Sequence, residues 1–363
     1  MTLFDSPAFE GHEGVHAFSD ERSGLKSIIA VHSTARGPAL GGCRMWSYVD
    51  SRSAVRDALR LSRAMTFKSA VAGLPLGGGK GVIMIPEGTP ALSARRRKAA
   101  LLDFADTVAR FEGRYITAED VGVSSRDMAV MAERTRYVTG LSRRRGGSGD
   151  PSPYTALGVE EAIRVGCERV FGTGDLKDRT ISVLGLGHVG ARLARGCARA
   201  GAKLLVSDID GAKRSVAREL DAAWVDPAHA LFADADVVAP CALGGVLDHE
   251  SIPRLRCAVI AGSANNQLAE ESLADLLRAH GILWAPDFVA NAGGIINVAT
   301  ELDRGGYDPK RARERVRGIR DTLKEIFDEA DRTGTTPLTA AMLLARRRLG
   351  ETVRAPRTRP ARG

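Results

Sequence analysis

Apolar and polar positions alternate along this chain with a rhythm that changes near its middle. Leu25, Ile28, Ile29 and Val31 mark a strand over about 24–35, stopped by the turn-forming Gly37-Pro38. Val55, Ala58, Leu59, Ser62 and Met65 then recur at three- and four-residue steps, the stripe of a helix that starts near Ser53 and ends just before Lys68. The glycine-dense stretch from Gly73 to Gly81 reads as a turn. A strand at Val82–Ile85, a helix near 92–111 and a strand at Tyr115–Thr117 follow, leading to Glu119-Asp120. The run Gly146–Pro153 breaks regular structure and places a domain boundary at about 150. A long helix begins near Tyr154-Thr155, and from 180 onward apolar strands at 181–184, 203–207, 236–239, 257–261 and 282–285 alternate with helical stretches. That is the pattern of a parallel, doubly wound α/β sheet. Val316, Ile319, Leu323, Ile326 and Phe327 predict an amphipathic helix, and Thr336-Pro337 the start of another.

The most specific local signal lies between the first two strands of that sheet. Gly185, Leu186, Gly187, His188, Val189 and Gly190 follow the run Ile181–Leu184, and Asp208 ends the next apolar run. One glycine permits a sharp turn, one lets backbone N–H groups approach a pyrophosphate, and one allows the helix to pack on the strand. An acid about 20 residues on accepts hydrogen bonds from the adenosine ribose and repels a 2′-phosphate. The fingerprint therefore predicts NAD as cofactor, in preference to NADP.

Composition narrows the class. The 363 residues suggest about two domains, and 44% hydrophobic with 26% charged residues fit a soluble globular protein. No apolar run of spanning length and no secretory leader is seen, so a cytoplasmic protein without membrane attachment is expected. The formal charge of +8 gathers largely at the end of the chain, where seven arginines from Arg346 to Arg362 face only Glu351 in the last eighteen residues. A Pro/Arg tail over 354–363 without interleaved aromatics reads as a disordered end rather than a nucleic-acid arm. Arg95-Arg96-Arg97-Lys98 and Arg143-Arg144-Arg145 read as exposed surface. Cys43, Cys167, Cys197, Cys241 and Cys257 are scattered, which argues against disulfides and a zinc site; no metal is expected. Cys241, in Pro240-Cys241-Ala242, ends a strand near a ligand but has no histidine beside it to make it a nucleophile.

Lys68 and Lys80 flank the glycine-dense segment. Two ammonium groups facing one pocket lower each other's proton affinity, so that one clamps a carboxylate and the other acts as a base; taken singly, each also reads as an ordinary surface lysine. Gly77-Gly78-Gly79-Lys80 lacks the spacing of a nucleoside-triphosphate loop.

Five stretches carry a family likeness. Gly37–Met45, Leu74–Lys80, Thr117–Gly122, Gly262–Gln267 and Asp287–Gly294 resemble, in order, the Glu/Leu/Phe/Val amino acid dehydrogenases, most closely the leucine, valine and phenylalanine branch. The resemblance implies reversible oxidative deamination of an L-amino acid to a 2-oxo acid and ammonia, with hydride passed to NAD. It assigns Lys68 to the substrate carboxylate, Lys80 to general base and Asp120 to proton transfer and the amino group. Asn265 and Asn266 are to place the nicotinamide ribose and Thr155 the carboxamide, with Cys241, Ala242 and Asn291 in the cofactor site. Gly41, Gly42 and Met65 join the substrate site, and Leu40, Ala118 and Val298 line the side-chain pocket. None of these three is charged, which disfavours glutamate. Ala118 favours a leucine, valine or isoleucine substrate, whereas Ala64–Lys68 and Leu74–Gly77 look more like the phenylalanine branch.

The resulting expectation is a homo-oligomer, dimer or higher, of two α/β domains closing on a cleft. A mixed-sheet substrate and oligomerisation domain spans 1–150 and a Rossmann NAD domain 151–324, with helices in 325–353 packing back onto the first. Asp120 as a helix cap and Asn266 as a turn residue are the structural alternatives. A catalytically silent NAD-binding protein and a nucleic-acid binder acting through the tail are the functional ones.

Overall fold

A computed structural model describes residues 3–89 and 91–351; the tail expected over 354–363 lies outside them. The described residues form two α/β units, one comprising 3–150, 298–309 and 345–351, the other 151–297 and 310–344.

The first unit contains β1 (Gly14–Ser19), β2 (Lys26–Ser33), β3 (Ala39–Tyr48), α1 (Ser51–Val71), β4 (Gly77–Pro86), α2 (Ala94–Ala109), β5 (Tyr115–Glu119) and α3 (Ser125–Met131). Its sheet is mixed, in the order β1-β2-β4-β3-β5. β4 runs antiparallel to β2 and parallel to β3, and β3 is parallel to β5.

The expected glycine turn before Lys80 is instead the first half of β4. Glycine signals a turn locally, but here it serves close packing. A Cβ on Gly77 would sit 1.9 Å from the Ser33 carbonyl oxygen, and one on Gly78 2.1 Å from the Thr66 amide. On Gly79 it would meet the Tyr115 ring at 2.7 Å, and on Gly81 the Phe104 ring at 2.4 Å. Only bare backbone fits between α1 and the aromatic core beneath. Lys68 likewise differs from expectation: it stands on the last turn of α1, which continues past it to Val71.

Two histidines fasten the segment before β1 to this unit. His12 Nε2 donates to the Leu59 carbonyl at 3.0 Å while its Nδ1 accepts from the Glu10 amide at 3.2 Å. His32 Nε2 donates to the Glu10 carbonyl at 3.0 Å and its Nδ1 lies 2.9 Å from the Thr66 hydroxyl. Each ring thus has one donor and one acceptor nitrogen, the neutral form. Burial is the main cause holding both below the ordinary histidine value, His32 at about 4.

The second unit begins with α4 (Ser152–Phe171), β6 (Thr180–Leu184), α5 (Gly190–Arg199), β7 (Lys203–Ser207), α6 (Arg214–Glu219), β8 (Ala223–Trp224), α7 (Pro227–Ala230) and β9 (Val237–Pro240). It goes on through β10 (Val259–Ile260), α8 (Leu273–Ala279), β11 (Leu283–Trp284), α9 (Asp287–Ala290), α10 (Gly293–Ala299), α11 (Pro309–Arg317), α12 (Ile319–Thr333) and α13 (Pro337–Arg348). The strand order β11-β10-β9-β6-β7-β8, with all pairs parallel, is the doubly wound arrangement whose order reverses between β6 and β9.

The closing helices depart from expectation. Residues 310–344 cluster with the second unit, because α12 lays its buried Ile319, Leu323, Ile326 and Phe327 toward α4 and α9. Of the closing segment, residues 345–351 join the first, where Arg348 donates to the Val71 carbonyl at 2.5 Å and its own carbonyl accepts from Arg36 at 2.6 Å. Arg348 therefore caps the C-terminal end of α1, where a cation is favoured, instead of belonging to a solvated tail. The stretch 298–309 also joins the first unit, tied by Glu301, whose carboxylate accepts from the Gly140 and Ser148 amides at 3.0 and 2.7 Å.

Candidate active site

The candidate residues of the first unit gather in the middle of the mixed sheet. Lys80, on β4, is 4% exposed, and its Nζ donates to Asp120 Oδ2 at 2.7 Å. Asp120 directly follows β5 in a tight turn in which the Val123 amide donates to the Asp120 carbonyl at 2.9 Å. Its side chain is thus an ion-pair partner, and the cap of α3 is Ser124. Burial is the largest influence on Lys80 and lowers its proton affinity below that of a free lysine; Asp120 opposes and Arg44 adds to the lowering. Desolvation leads, and the like charge that adds to it is that of Arg44 instead of the Lys68 expected from the sequence. Burial alone would raise Asp120, but Lys80 and Arg44 overturn it and hold the carboxyl below its ordinary range.

The register of β3 places the predicted pocket residues beside this pair. Leu40, fully buried, pairs with Gly78 on one side and Ile116 on the other; Gly41 faces Thr117 and Gly42 faces Ala118. A Cβ on Gly41 would lie 1.7 Å from the Gly79 carbonyl oxygen, and one on Gly42 2.7 Å from Asp120 Cβ. The two glycines let β3 approach the lysine strand and the aspartate. Met65 and Lys68 share the last two turns of α1, and Val298 is buried near the end of α10.

Three residues that sequence reasoning missed join this cluster. Arg44 Nε donates to the same Asp120 oxygen at 2.8 Å, its Nη1 donates to Asp57 Oδ2 at 2.8 Å, and the Tyr48 hydroxyl donates to that Asp57 oxygen at 2.8 Å. The signal was present: an arginine inside a buried strand and an aspartate beside the apolar stripe of α1. Arg97, expected as exposed surface, instead donates to the Gly122 carbonyl at 2.7 Å and pairs with Asp127, so it secures the loop after Asp120. Arg96 donates to the Ser23 carbonyl, and Arg143 lies over the Tyr307 ring.

The candidate residues of the second unit stand at the ends of β6 and β9. Gly185 has φ +98°, a conformation that favours glycine, and a Cβ there would meet Ala242 Cβ at 2.8 Å. A Cβ on Gly190 would press on the Gly185 carbonyl oxygen at 1.9 Å and on Cys241 Cβ at 3.1 Å. Gly187 has open space where a side chain would stand, which fits the approach of a pyrophosphate to the loop through His188 and Val189 and the start of α5. Asp208 Oδ2 accepts from the Leu186 amide at 2.6 Å and Oδ1 from the Asp210 amide at 2.9 Å. The acid therefore also pins the glycine loop.

Cys241 follows β9, its amide donating to the Leu184 carbonyl at 2.8 Å; burial pushes its thiol above the ordinary value. Asn291 donates to the Ser263 carbonyl at 3.1 Å and to Asn265 Oδ1 at 2.8 Å, while its own Oδ1 is buried with no hydrogen-bond partner among the described residues. A ligand amide would satisfy that acceptor. Asn266 has φ +52° and its carbonyl accepts from Gly245, so it does shape a turn, with its side chain exposed. Thr155 Oγ1 donates to the Pro151 carbonyl, and a Cβ on Gly294 would lie 2.8 Å from it. These groups fit a dinucleotide.

Comparison with known proteins agrees with this geometry. Residues 12–137 match the Glu/Leu/Phe/Val dehydrogenase dimerisation domain and 208–356 the Glutamate/Leucine/Phenylalanine/Valine dehydrogenase model. Residues 160–243 match the NAD binding domain of D-isomer specific 2-hydroxyacid dehydrogenases. The chain is 44% identical over 351 residues to the leucine dehydrogenase of Thermoactinomyces intermedius, covering 96% of this chain and 94% of that one. It is 42% identical to the valine dehydrogenase of Streptomyces albus, covering 96% and 95%. The crystal structure of L-tryptophan dehydrogenase from Nostoc punctiforme superposes with a TM-score of 0.82 at 39% identity, over 94% of this chain and 96% of that one. A two-domain α/β chain with a doubly wound NAD-binding unit, it belongs to the Glu/Leu/Phe/Val dehydrogenase family of oxidoreductases.

Proposed function

We propose that this protein catalyses the reversible oxidative deamination of an apolar L-amino acid, of the leucine, valine or isoleucine type, to its 2-oxo acid and ammonia. The observation that carries the reading is the ion pair of buried Lys80 with Asp120, beside the uncharged strand residues Leu40 and Ala118. Binding a dinucleotide requires neither member of that pair, which weighs against a silent NAD-binding protein.

On this reading Lys68 holds the substrate carboxylate, and Asp120, ionised, holds its ammonium. NAD, bound by the loop 185–190 with Asp208, Cys241, Ala242, Asn265, Asn266, Asn291 and Thr155, supplies the acceptor for the hydride that leaves Cα. The ammonium first passes one proton to solvent through Asp120, so that loss of hydride from the neutral amine leaves an iminium ion. Lys80 in its neutral form takes a proton from water as that water attacks the iminium carbon, returns it to nitrogen, and takes the proton of the new hydroxyl as the carbon–nitrogen bond breaks and the carbonyl forms. Ammonia and the 2-oxo acid are released. Burial favours the neutral amine that this role needs. Turnover in the deaminating direction accordingly rises with pH as Lys80 loses its proton. Family membership and the match to a dimerisation domain support a homo-oligomer built through the first unit, and the reaction class supports a cytoplasmic setting.

Ala118 is the residue on which side-chain preference turns. One methylene in an apolar pocket changes discrimination by about 1–3 kcal/mol, so phenylalanine or another aromatic substrate is the second reading, favoured by the L-tryptophan dehydrogenase relative. The test is NADH formation at alkaline pH from L-leucine, L-valine, L-isoleucine, L-phenylalanine, L-tryptophan and L-glutamate. Turnover highest on the branched aliphatic substrates supports the first reading, and highest on the aromatics the second. No NADH from any of them, with NAD still bound, overturns both; reduction of NADP alone overturns the role given to Asp208.

A further inference from the structure

Arg44 is a cation that the deamination steps do not call on, yet it stands closer to their centre than any surface pairing requires. Asp120 Oδ2 receives Lys80 Nζ at 2.7 Å and Arg44 Nε at 2.8 Å, and neither bond uses Oδ1. The other end of the guanidinium is held by Asp57, which the Tyr48 hydroxyl also grips at 2.8 Å. These elements lie deep in the fold: β3 supplies Arg44 and Tyr48, and α1 supplies Asp57. A planar guanidinium is the one side chain that bridges two carboxylates from a fixed position and keeps its charge at every working pH.

We propose that Arg44 is a positioning residue of the active site, which divides the charge of Asp120 with Lys80 and so sets the pH at which the lysine releases its proton. Without a competing cation, a lone aspartate at 2.7 Å would hold the lysine proton tightly and spoil it as a base. With Arg44 in place, Asp120 stays ionised whether or not Lys80 is charged, so the carboxylate keeps its hold on a substrate ammonium after the lysine has become neutral. Asp57 and Tyr48 keep Arg44 from swinging onto Asp120 alone. The charged and titratable groups around Lys80 are few: Asp120 and Arg44 in the network, the buried Cys43 thiol on β3, and the buried Tyr115 hydroxyl, which donates to the Gly41 carbonyl at 2.7 Å. Lys68 lies on α1, which packs against β4. The thiol and the phenol are both pushed upward, chiefly by burial, and stay neutral, which leaves Arg44 and Asp120 as fixed charges that tune the lysine.

The role in catalysis rests on the deamination reading; the coupling between the three side chains does not. The experiment therefore measures both, on the full chain with Arg44→Gln, Arg44→Lys and Asp57→Asn. Trace acetic anhydride labelling followed across pH, with the Lys80 peptide quantified by mass spectrometry, reads the lysine directly. The pH profile of kcat/KM for the best amino acid reads it through turnover. For Arg44→Gln the labelling midpoint and the acid limb of kcat/KM both move up by about one pH unit. Arg44→Lys keeps the midpoint within a few tenths of a unit of the native one, because the charge survives, but loses kcat through the missing bridge. Asp57→Asn lets Arg44 give its whole charge to Asp120, moves both readouts downward by a few tenths of a pH unit, and carries the test if Arg44→Gln does not fold. NAD affinity, housed in the other unit, is unchanged in all three. Identical titration of Lys80 in the native protein and in the folded Arg44→Gln or Asp57→Asn overturns the proposal, as does an Arg44→Lys shift as large as that of Arg44→Gln. If the native chain oxidises no amino acid yet the labelling midpoint moves, the coupling stands and the deamination reading alone fails.

Discussion

Acid should loosen the first unit through one histidine before it reaches the carboxylates. His32 is neutral in the fold, pushed down to about 4 chiefly by burial, with the neighbouring His12 ring 4.8 Å away adding to the effect. In the unfolded chain it titrates near its ordinary value of 6.5. The unfolded state therefore binds the extra proton first, so the contribution is complete above about pH 6.5 and is lost as pH falls toward 4. At pH 5 the two affinities differ by enough to remove about 2 kcal/mol. Water reaches part of the ring, so about 1 kcal/mol is the figure to expect. His12 is lowered as well, again mainly by burial, and acts with the same sign. The clean perturbation is His32→Gln, whose amide still donates toward the Glu10 carbonyl but does not titrate. Thermal unfolding at pH 7.5 and pH 5 should show the native protein losing about 3 °C more than the variant, the shift that 1 kcal/mol produces in a unit of this size. Equal losses in the two proteins would refute the reasoning.

Lys80→Ala should lower kcat by about a thousandfold, the range of a lost general base, without weakening NAD, as steady-state kinetics and fluorescence titration will report; a drop under tenfold would mean that another group takes the proton. Asp208→Ala removes both the expected ribose acceptor and the partner of the Leu186 amide, and should weaken NAD by about tenfold or more while narrowing its advantage over NADP. Gly79→Ala puts a methyl 2.7 Å from the Tyr115 ring and should cost about 1–3 kcal/mol in urea unfolding, with turnover falling alongside.

The second unit was open to reading because its signals are local. Strand, turn, helix and acid follow one another within thirty residues, and the glycines at 185, 187 and 190 each meet a constraint set by immediate neighbours. The first unit was harder, because its decisive contacts join distant stretches. Nothing beside Gly77–Gly81 in the chain says that Thr66, Phe104 and Tyr115 will crowd it, so glycine's local preference for turns spoke instead. Arg44, Asp57 and Asp120 are 13 and 63 residues apart, and their meeting depends on β3 lying between β4 and β5. The family resemblance supplied the lysines and Asp120 without that topology, but it gave no hint of what holds them. Arg97 shows the same gap, since a run of basic residues at a helix start looks solvated until the carbonyl it reaches is known.

The strand that carries Lys80 has almost no side chains of its own around the lysine. Its place is borrowed from α1 above and from Phe104 and Tyr115 below. Catalytic competence and core integrity are therefore one property here. Trimming Phe104 or Tyr115, both distant from Lys80 in sequence, would take away the wall on which the lysine strand rests, and enzymatic rate and melting temperature would fall together. The dehydrogenase is in this sense its own strain gauge, with the ammonium of Lys80 as the needle.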